Sequence, residues 1–290
     1  ASVTTSISQP YSGKTVQAGK DVTFKSIANT PEGTVSKVEY YNGDTLLYTA
    51  TASPYTFVWE NIPIGTHSIT AKSYSTTGIT GTSNPVVINA ERYVIPSVFG
   101  SGMILQQNMP IRVFGSGLDG DVFSVEFNGE TKQTTAVNGE WMVEFDPLAA
   151  DNKTTYTMKI TAGGDVIEYS NIMLGEVWLC GGQSNMEFTM YSDADKDTEV
   201  ANANYPNLRL FTQSPNPIPE EDPDVRDGKW SICSAGTVSA FSAVGYYFGR
   251  DLHKELDVPV GMICAAVGGT PMAAWLTDKA LESRDVLATY

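Results

Sequence analysis

The chain has 290 residues, of which 41% are hydrophobic, enough for two or three domains with cores of their own. Lys and Arg number 18 against 33 Asp and Glu, a formal charge of −15, and that balance argues against nucleic acid and anionic membranes as partners. No apolar run reaches the ~18 residues that a membrane helix needs. No charged-then-apolar leader opens the chain, so Ala1 reads as a mature or trimmed start. Cys180, Cys233 and Cys264 are too few and too scattered for a disulfide framework or a C-x-x-C zinc pair; they read as small buried residues. Nothing in the pattern calls for a metal or other cofactor.

Residues 1–90 read as all-β. Val22, Phe24 and Ile27 begin one apolar pattern, and Val38 and Tyr40 alternate with Lys37 and Glu39 up to an Asn42-Gly43 turn. Leu46-Leu47-Tyr48 follow, then Tyr55, Phe57 and Trp59, then Ile69 and Ala71, then Val86 and Ile88. Short period-two runs punctuated by Gly, Pro and Asn predict a β-sandwich. The segment VEYYNGDTLLYTATASPYTFVWENIPIGTHSITAKS resembles the bacterial immunoglobulin-like modules appended to secreted enzymes. His67, between Gly65 and the Ile69 strand, is expected at the surface.

Residues 91–172 form a second β-rich block. Ile111-Arg112-Val113-Phe114 reads as a strand ended by Gly115 and Gly117. Val122–Phe127 meets an Asn128-Gly129 turn, Asn138-Gly139 precedes Trp141-Met142-Val143, and Gly163-Gly164 joins a last hairpin. Asn-Gly between alternating runs is a strong hairpin signal. The block holds no reactive cluster and reads as a packing or substrate-framing domain.

The character changes in residues 173–290. Glu176-Val177-Trp178-Leu179-Cys180 is a short apolar strand running into Gly181-Gly182, and 208–211 is a second strand. Phe241, Val244, Phe248, Leu252 and Leu256 recur at helical spacing over 239–256, and Asp257-Val258-Pro259 stops that helix. Residues 260–267 are nearly continuous in apolar side chains, as in a strand buried on both faces, and end in Gly268-Gly269-Thr270. This is α/β logic with a parallel sheet. The acidic, proline-rich stretch 215–228 reads as a solvated insertion.

Two loops sit past the C-terminal ends of these strands, the edge where open α/β sheets place ligands. In Gly181-Gly182-Gln183-Ser184-Asn185-Met186-Glu187 a serine follows glycines at a strand-to-helix junction. Its hydroxyl is exposed there, with a free backbone N–H beside it, which suits a nucleophile whose attack creates an oxyanion. Ser184 as a helix N-cap, with Glu187 completing a capping box, is the plainer reading. Gly268-Gly269 likewise reads as a donor loop that approaches a ligand closely, or as an ordinary turn. A nucleophile elbow is ruled out by Met186 at its second glycine, and a P-loop by Ser8 five residues before Gly13-Lys14-Thr15.

Taken together, GEVWLCGGQSNMEF, YPNLRLF, FSAVGYYFGRDLHKELDVPVG and GGTPMAAW resemble the sialate O-acetylesterase family of SGNH hydrolases. PSVFGSGMILQQNMPIRVFGSG resembles that family's β-domain, so the likeness spans 96–275. It implies a three-layer α/β/α, flavodoxin-like catalytic domain after the two β-rich ones, and a bacterial protein that is secreted or periplasmic. It implies Ser184 as the nucleophile that removes acetyl groups from an acetylated carbohydrate through an acetyl-enzyme. It also implies an oxyanion hole from Ser184, Gly268 and Gly269, with Gln183, Asn185, Thr270 and Trp275 supporting the pocket.

The family also supplies an Asp-x-x-His element and a Gln-Gly-Glu segment, and this sequence shows neither. Its two histidines are His67 and His253, and His253 falls on the flank of the predicted helix. Three parallel strands are also fewer than the five or so such a sheet usually has. The 290 residues are therefore expected to be the front part of a longer enzyme, the rest being trimmed, disordered or a separate chain. Acetylxylan esterase competes with sialate O-acetylesterase. A non-catalytic glycan-binding or scaffolding fragment is the alternative of another class.

Overall fold

The computed structural model describes residues 2–213 and 228–282. The predicted insertion 215–228 therefore lies, but for Gly228, outside the described residues. The N-terminal strands are β1 (Thr4–Gln9), β2 (Lys14–Gln17), β3 (Val22–Asn29), β4 (Val35–Asn42), β5 (Thr45–Ala50), β6 (Thr56–Trp59), β7 (Gly65–Ser75), β8 (Thr80–Thr82) and β9 (Val86–Glu91). They form two sheets, β1-β3-β6 and β2-β9-β7-β4-β5, with β8 beside β7. Alternation along each strand turns Phe24, Tyr40, Phe57, Ile69 and Ile88 into one shared core. Phe24 and Phe57 stack across it, ring centroids 5.8 Å apart.

His67 corrects its expected place. It is buried, its Nε2 donating to the Pro63 carbonyl at 2.7 Å while the Asn42 side-chain amide donates to Nδ1 at 3.3 Å. Glu39 lies next to the core residue Tyr40 and faces the other way. Its carboxylate accepts from Lys37 at 2.5 Å, Tyr41 at 2.6 Å and Tyr74 at 2.7 Å. Those donors, Lys37 first, hold its carboxyl down to about 2.

The next strands are β10 (Tyr93–Val94), β11 (Ile104–Gln106), β12 (Ile111–Gly117), β13 (Val122–Phe127), β14 (Glu130–Thr135), β15 (Glu140–Phe145), β16 (Tyr156–Ala162) and β17 (Asp165–Gly182). Gly115 does not end β12, which stays paired with β15 from Ile111 to Ser116 and ends at Gly117. The role of Gly117 is spatial: a Cβ on it would lie 2.6 Å from Phe123 Cζ, so the missing side chain seats that ring. Phe123 in turn stacks on Trp141 at 4.4 Å. The 18-residue β17 runs unbroken through the division expected after 172, pairing first with β16 and then with the parallel strands beyond.

The C-terminal region adds α1 (Ser184–Glu187), α2 (Lys196–Asn202), β18 (Asn204–Thr212), β19 (Lys229–Ser234), α3 (Ala235–Val238), α4 (Ala243–Leu256), β20 (Val260–Ala266) and α5 (Asp278–Glu282). β17, β20 and β18 are mutually parallel, and β19, which the sequence pattern did not reveal, lies antiparallel outside β18. One sheet therefore runs β14-β13-β16-β17-β20-β18-β19 through both regions.

Helix α4 departs from its predicted apolar stripe. Phe241 is buried but precedes the helix, and Val244, Phe248 and Leu256 are exposed. The buried face is Ala243, Gly245, Tyr246 and Gly249. A Cβ on Gly249 would lie 2.7 Å from Met262 Cγ, and one on Gly245 3.3 Å from Cys180 Sγ. Backbone thus packs directly on the sheet, a contact that hydrophobic periodicity does not register. Ser242 Oγ caps the helix by accepting from Gly245 N–H at 3.1 Å, and Asp257, at φ 53°, closes it in the left-handed region.

The β-rich block is fastened to this sheet. Above Gly261, Ile104 and Trp230 come close enough that a Cβ there would lie 2.9 and 3.1 Å from them. Trp230 Nε1 donates to the Val98 carbonyl at 2.7 Å. Buried Arg209 donates to Pro206 O, Gly102 O and Asn171 Oδ1. One edge stays open: beyond Val177, whose N–H donates to Gln106 Oε1, the outer side of β17 has no strand partner among the described residues. Leu179 there is 70% exposed, and half-exposed Trp178 meets only the edge of exposed Phe248 at 5.0 Å among aromatic neighbours.

Candidate active site

Ser184 is the first residue of α1, immediately past β17, and its side chain is exposed. It is not the helix cap. Gln183 holds that position without a side-chain cap, and the Glu187 amide donates to the Gln183 carbonyl at 2.9 Å. The Glu187 carboxylate, expected to complete a capping box, instead crosses to the second loop and accepts from Gly268 N–H at 2.8 Å. The short turn is supported from below by Met186, whose Sδ is 3.5 Å from the buried Ser242 hydroxyl at the start of α4.

The second loop leaves β20 in register with the first, because Val267 N–H donates to the Gly182 carbonyl at 3.0 Å. Thr270 Oγ1 donates to Val267 O at 2.7 Å and accepts from Trp275 Nε1 at 2.9 Å, while Gln183 Nε2 donates to Thr270 O at 3.2 Å. The structure thus gathers Gln183, Ser184, Gly268, Thr270 and Trp275 at one end of the sheet. Asn185 and Gly269 are exposed beside them. A Cβ on Gly268 would lie 2.5 Å from Glu187 Oε2 and 3.5 Å from Ser184 Oγ, so a side chain there would push the Glu187 carboxylate aside. Gly269 is required by conformation: its φ is 79° and the space around it is open.

Gly268 N–H is engaged by Glu187, whereas the N–H groups of Ser184 and Gly269 have no acceptor among the described residues. Beneath the loops, burial pushes the Cys180 thiol up to about 11 and raises that of Cys264, to which the Glu187 charge adds. Both thiols are free and buried, whereas the Ser184 side chain is exposed.

Neither histidine serves it. His253 sits near the end of α4 with Nδ1 2.6 Å from the Val258 carbonyl, before β20 begins. Ser184 lies past the other end of the same sheet, about 20 Å away for a strand of this length. His67 belongs to the N-terminal sandwich. The residue that sequence reasoning misjudged is Glu187: its spacing from Ser184 fits a local cap, and only the adjacency of β17 and β20 brings Gly268 within its reach.

Comparison with known proteins bears on this site. Residues 174–286 match the family model described as carbohydrate esterase, sialic acid-specific acetylesterase, and residues 4–71 match the bacterial Ig domain. The segment carrying Ser184 is thus similar to the sialic acid-specific acetylesterases. Rat sialate O-acetylesterase is 32% identical over 170 residues, covering 52% of this chain and 30% of that protein. The human sialate O-acetylesterase is 29% identical over 222 residues, 69% of this chain and 42% of that protein. The crystal structure of a carbohydrate acetylesterase from Xanthomonas citri superposes with a TM-score of 0.62 at 28% identity, over 66% of this chain and 43% of the other. The chain thus spans less than half the length of these relatives.

Proposed function

We propose that this chain forms part of a bacterial, extracytoplasmic serine esterase that removes O-acetyl groups from carbohydrate. The observation that carries the reading is the exposed Ser184 hydroxyl facing the Gly268 backbone across two loops at the C-terminal end of a parallel sheet. Ser184 Oγ attacks the acetyl carbonyl and gives its proton to a base. The tetrahedral oxyanion is held by the free N–H groups of Ser184 and Gly269, each well-aimed donor being worth roughly 3–4 kcal/mol of barrier. The sugar hydroxyl leaves with a proton, and water then hydrolyses the acetyl-serine. Gln183, Thr270 and Trp275 keep the two loops in place, and Asn185 shapes the entrance.

The base comes from polypeptide outside these 290 residues. The open outer edge of β17, with exposed Trp178 and Leu179 along it, is where that polypeptide adds its strands and completes the three-layer α/β/α domain. The relatives, more than twice as long as their matched segments, fit this arrangement. The position of both histidines also favours a second reading, in which the chain is a non-catalytic glycan-holding fragment.

A fluorophosphonate probe separates the two. Labelling of Ser184 in the chain assembled with its C-terminal continuation, abolished by Ser184→Ala, supports the esterase. Absence of labelling in that assembly leaves the binding fragment. Acetate release from acetylated xylan against O-acetylated sialic acid then identifies the sugar class.

A further inference from the structure

We infer that Glu187 is a positioning residue of the esterase, setting the distance between the nucleophile turn and the glycine loop; the inference rests on the reading of Ser184 as nucleophile. Two observations converge on it. The carboxylate leaves the third residue after Ser184 and ends on the Gly268 amide of another strand's loop, at 2.8 Å. A hydrogen bond from a backbone N–H to a carboxylate is about twice as strong as a neutral one, so it is a firm tie even in an exposed site. The space over Gly268 is filled by the same Glu187 oxygen and by Ser184 Oγ, which makes Glu187 and the nucleophile neighbours over one glycine.

The consequence concerns which amides reach the reacting carbonyl. With Gly268 N–H turned to Glu187, the peptide that follows is oriented and Gly269, at φ 79°, presents its own N–H without a protein acceptor. Without the carboxylate, Gly268 N–H is free to rotate toward solvent, and among the described residues the hydrogen bonds left between loop and turn are Val267–Gly182 and Gln183–Thr270. The carboxylate also works against the reaction. Oε2 and Ser184 Oγ are about 6 Å apart or less, a range in which a like charge disfavours an oxyanion. The hydrogen bond and the charge therefore have opposite effects, and they are separable by substitution.

The test compares Glu187→Gln, which keeps an acceptor oxygen and drops the charge, with Glu187→Ala, which loses both. Turnover of a small acetyl ester is measured across pH in the chain assembled with its continuation. Hydrogen exchange of the Gly268 amide is measured by NMR in the 290-residue chain. Positioning predicts a fall in kcat of tenfold or more for Glu187→Ala with KM within about threefold, against the ~100-fold cost of losing an oxyanion donor outright. It predicts faster Gly268 exchange in that variant, and recovery of both kcat and protection in Glu187→Gln. A Gln variant as impaired as Ala, an Ala variant with unchanged kcat, or a Gly268 amide equally protected in all three overturns the inference. Ser184→Ala runs in parallel: if it too leaves turnover unchanged, the esterase reading falls, and the positioning role falls with it.

Discussion

The N-terminal sandwich and the parallel-sheet region solve the same packing problem differently. In the sandwich, nine strands close a core of Phe24, Tyr40, Phe57, Ile69 and Ile88 among themselves, and even the ring nitrogens of His67 are engaged by neighbours within it. The parallel sheet shares its strand β17 with the β-rich block, meets α4 through glycine, and leaves Trp178, Leu179, Val244 and Phe248 exposed near an unpaired edge. The candidate site lies in the open region, past the ends of β17 and β20. A sandwich buries each strand against its own opposing sheet, whereas an open α/β sheet needs further strands and helices before its last edge is covered.

The sharpest way to break that comparison is to damage each region and ask whether the other notices. Phe24→Ala empties the centre of the sandwich and should cost about 3–5 kcal/mol, lowering its unfolding transition in calorimetry. Fluorophosphonate labelling of Ser184 in the complete assembly should be unchanged. Loss of labelling together with the sandwich would mean that the two regions unfold as one unit.

The converse variant is Gly249→Val, which places branched atoms where Met262 and Leu208 already lie and should cost about 1–3 kcal/mol in the parallel-sheet region. Amide exchange should accelerate in β20 and β18 and stay unchanged in β3 and β7. If β20 remains protected, the glycine face of α4 is not what sets its distance from the sheet.

A smaller effect tests the sandwich by pH. Glu39 is held down to about 2 from an ordinary value of 4.5, so its stabilisation is complete above pH 4.5 and is lost as pH falls toward 2. Glu39→Gln should remove that acid-limb slope of sandwich stability, and an unchanged slope would assign acid sensitivity to other carboxylates. The smallest expected effect is His253→Gln: turnover in the complete assembly should stay within a few-fold. A loss of several orders of magnitude would make His253 the base and the parallel-sheet region self-sufficient.

Much of this was legible in sequence. The strands of the sandwich core, the helix before Asp257 and the two glycine-rich loops follow from period-two and near-3.6 patterns and from turn residues, all local signals. The motif GGQSNMEF singles out Ser184 from the sequence alone. What local pattern could not supply was partnership. The burial of His67 depends on Asn42 and Pro63, the buried face of α4 on the flatness of Gly245 and Gly249, and the presence of β19 on pairing with β18.

The same division holds at the site. Residue type and spacing determined that a hydroxyl and two glycines stand past the ends of strands, because strand and turn propensities act over a few residues. The contact between Glu187 and Gly268 joins positions 81 apart in the chain, and it exists because β17 and β20 lie side by side in parallel register. Periodicity carries no information about which strands are neighbours, so only the tertiary structure decided which amide the carboxylate would take and which would remain free.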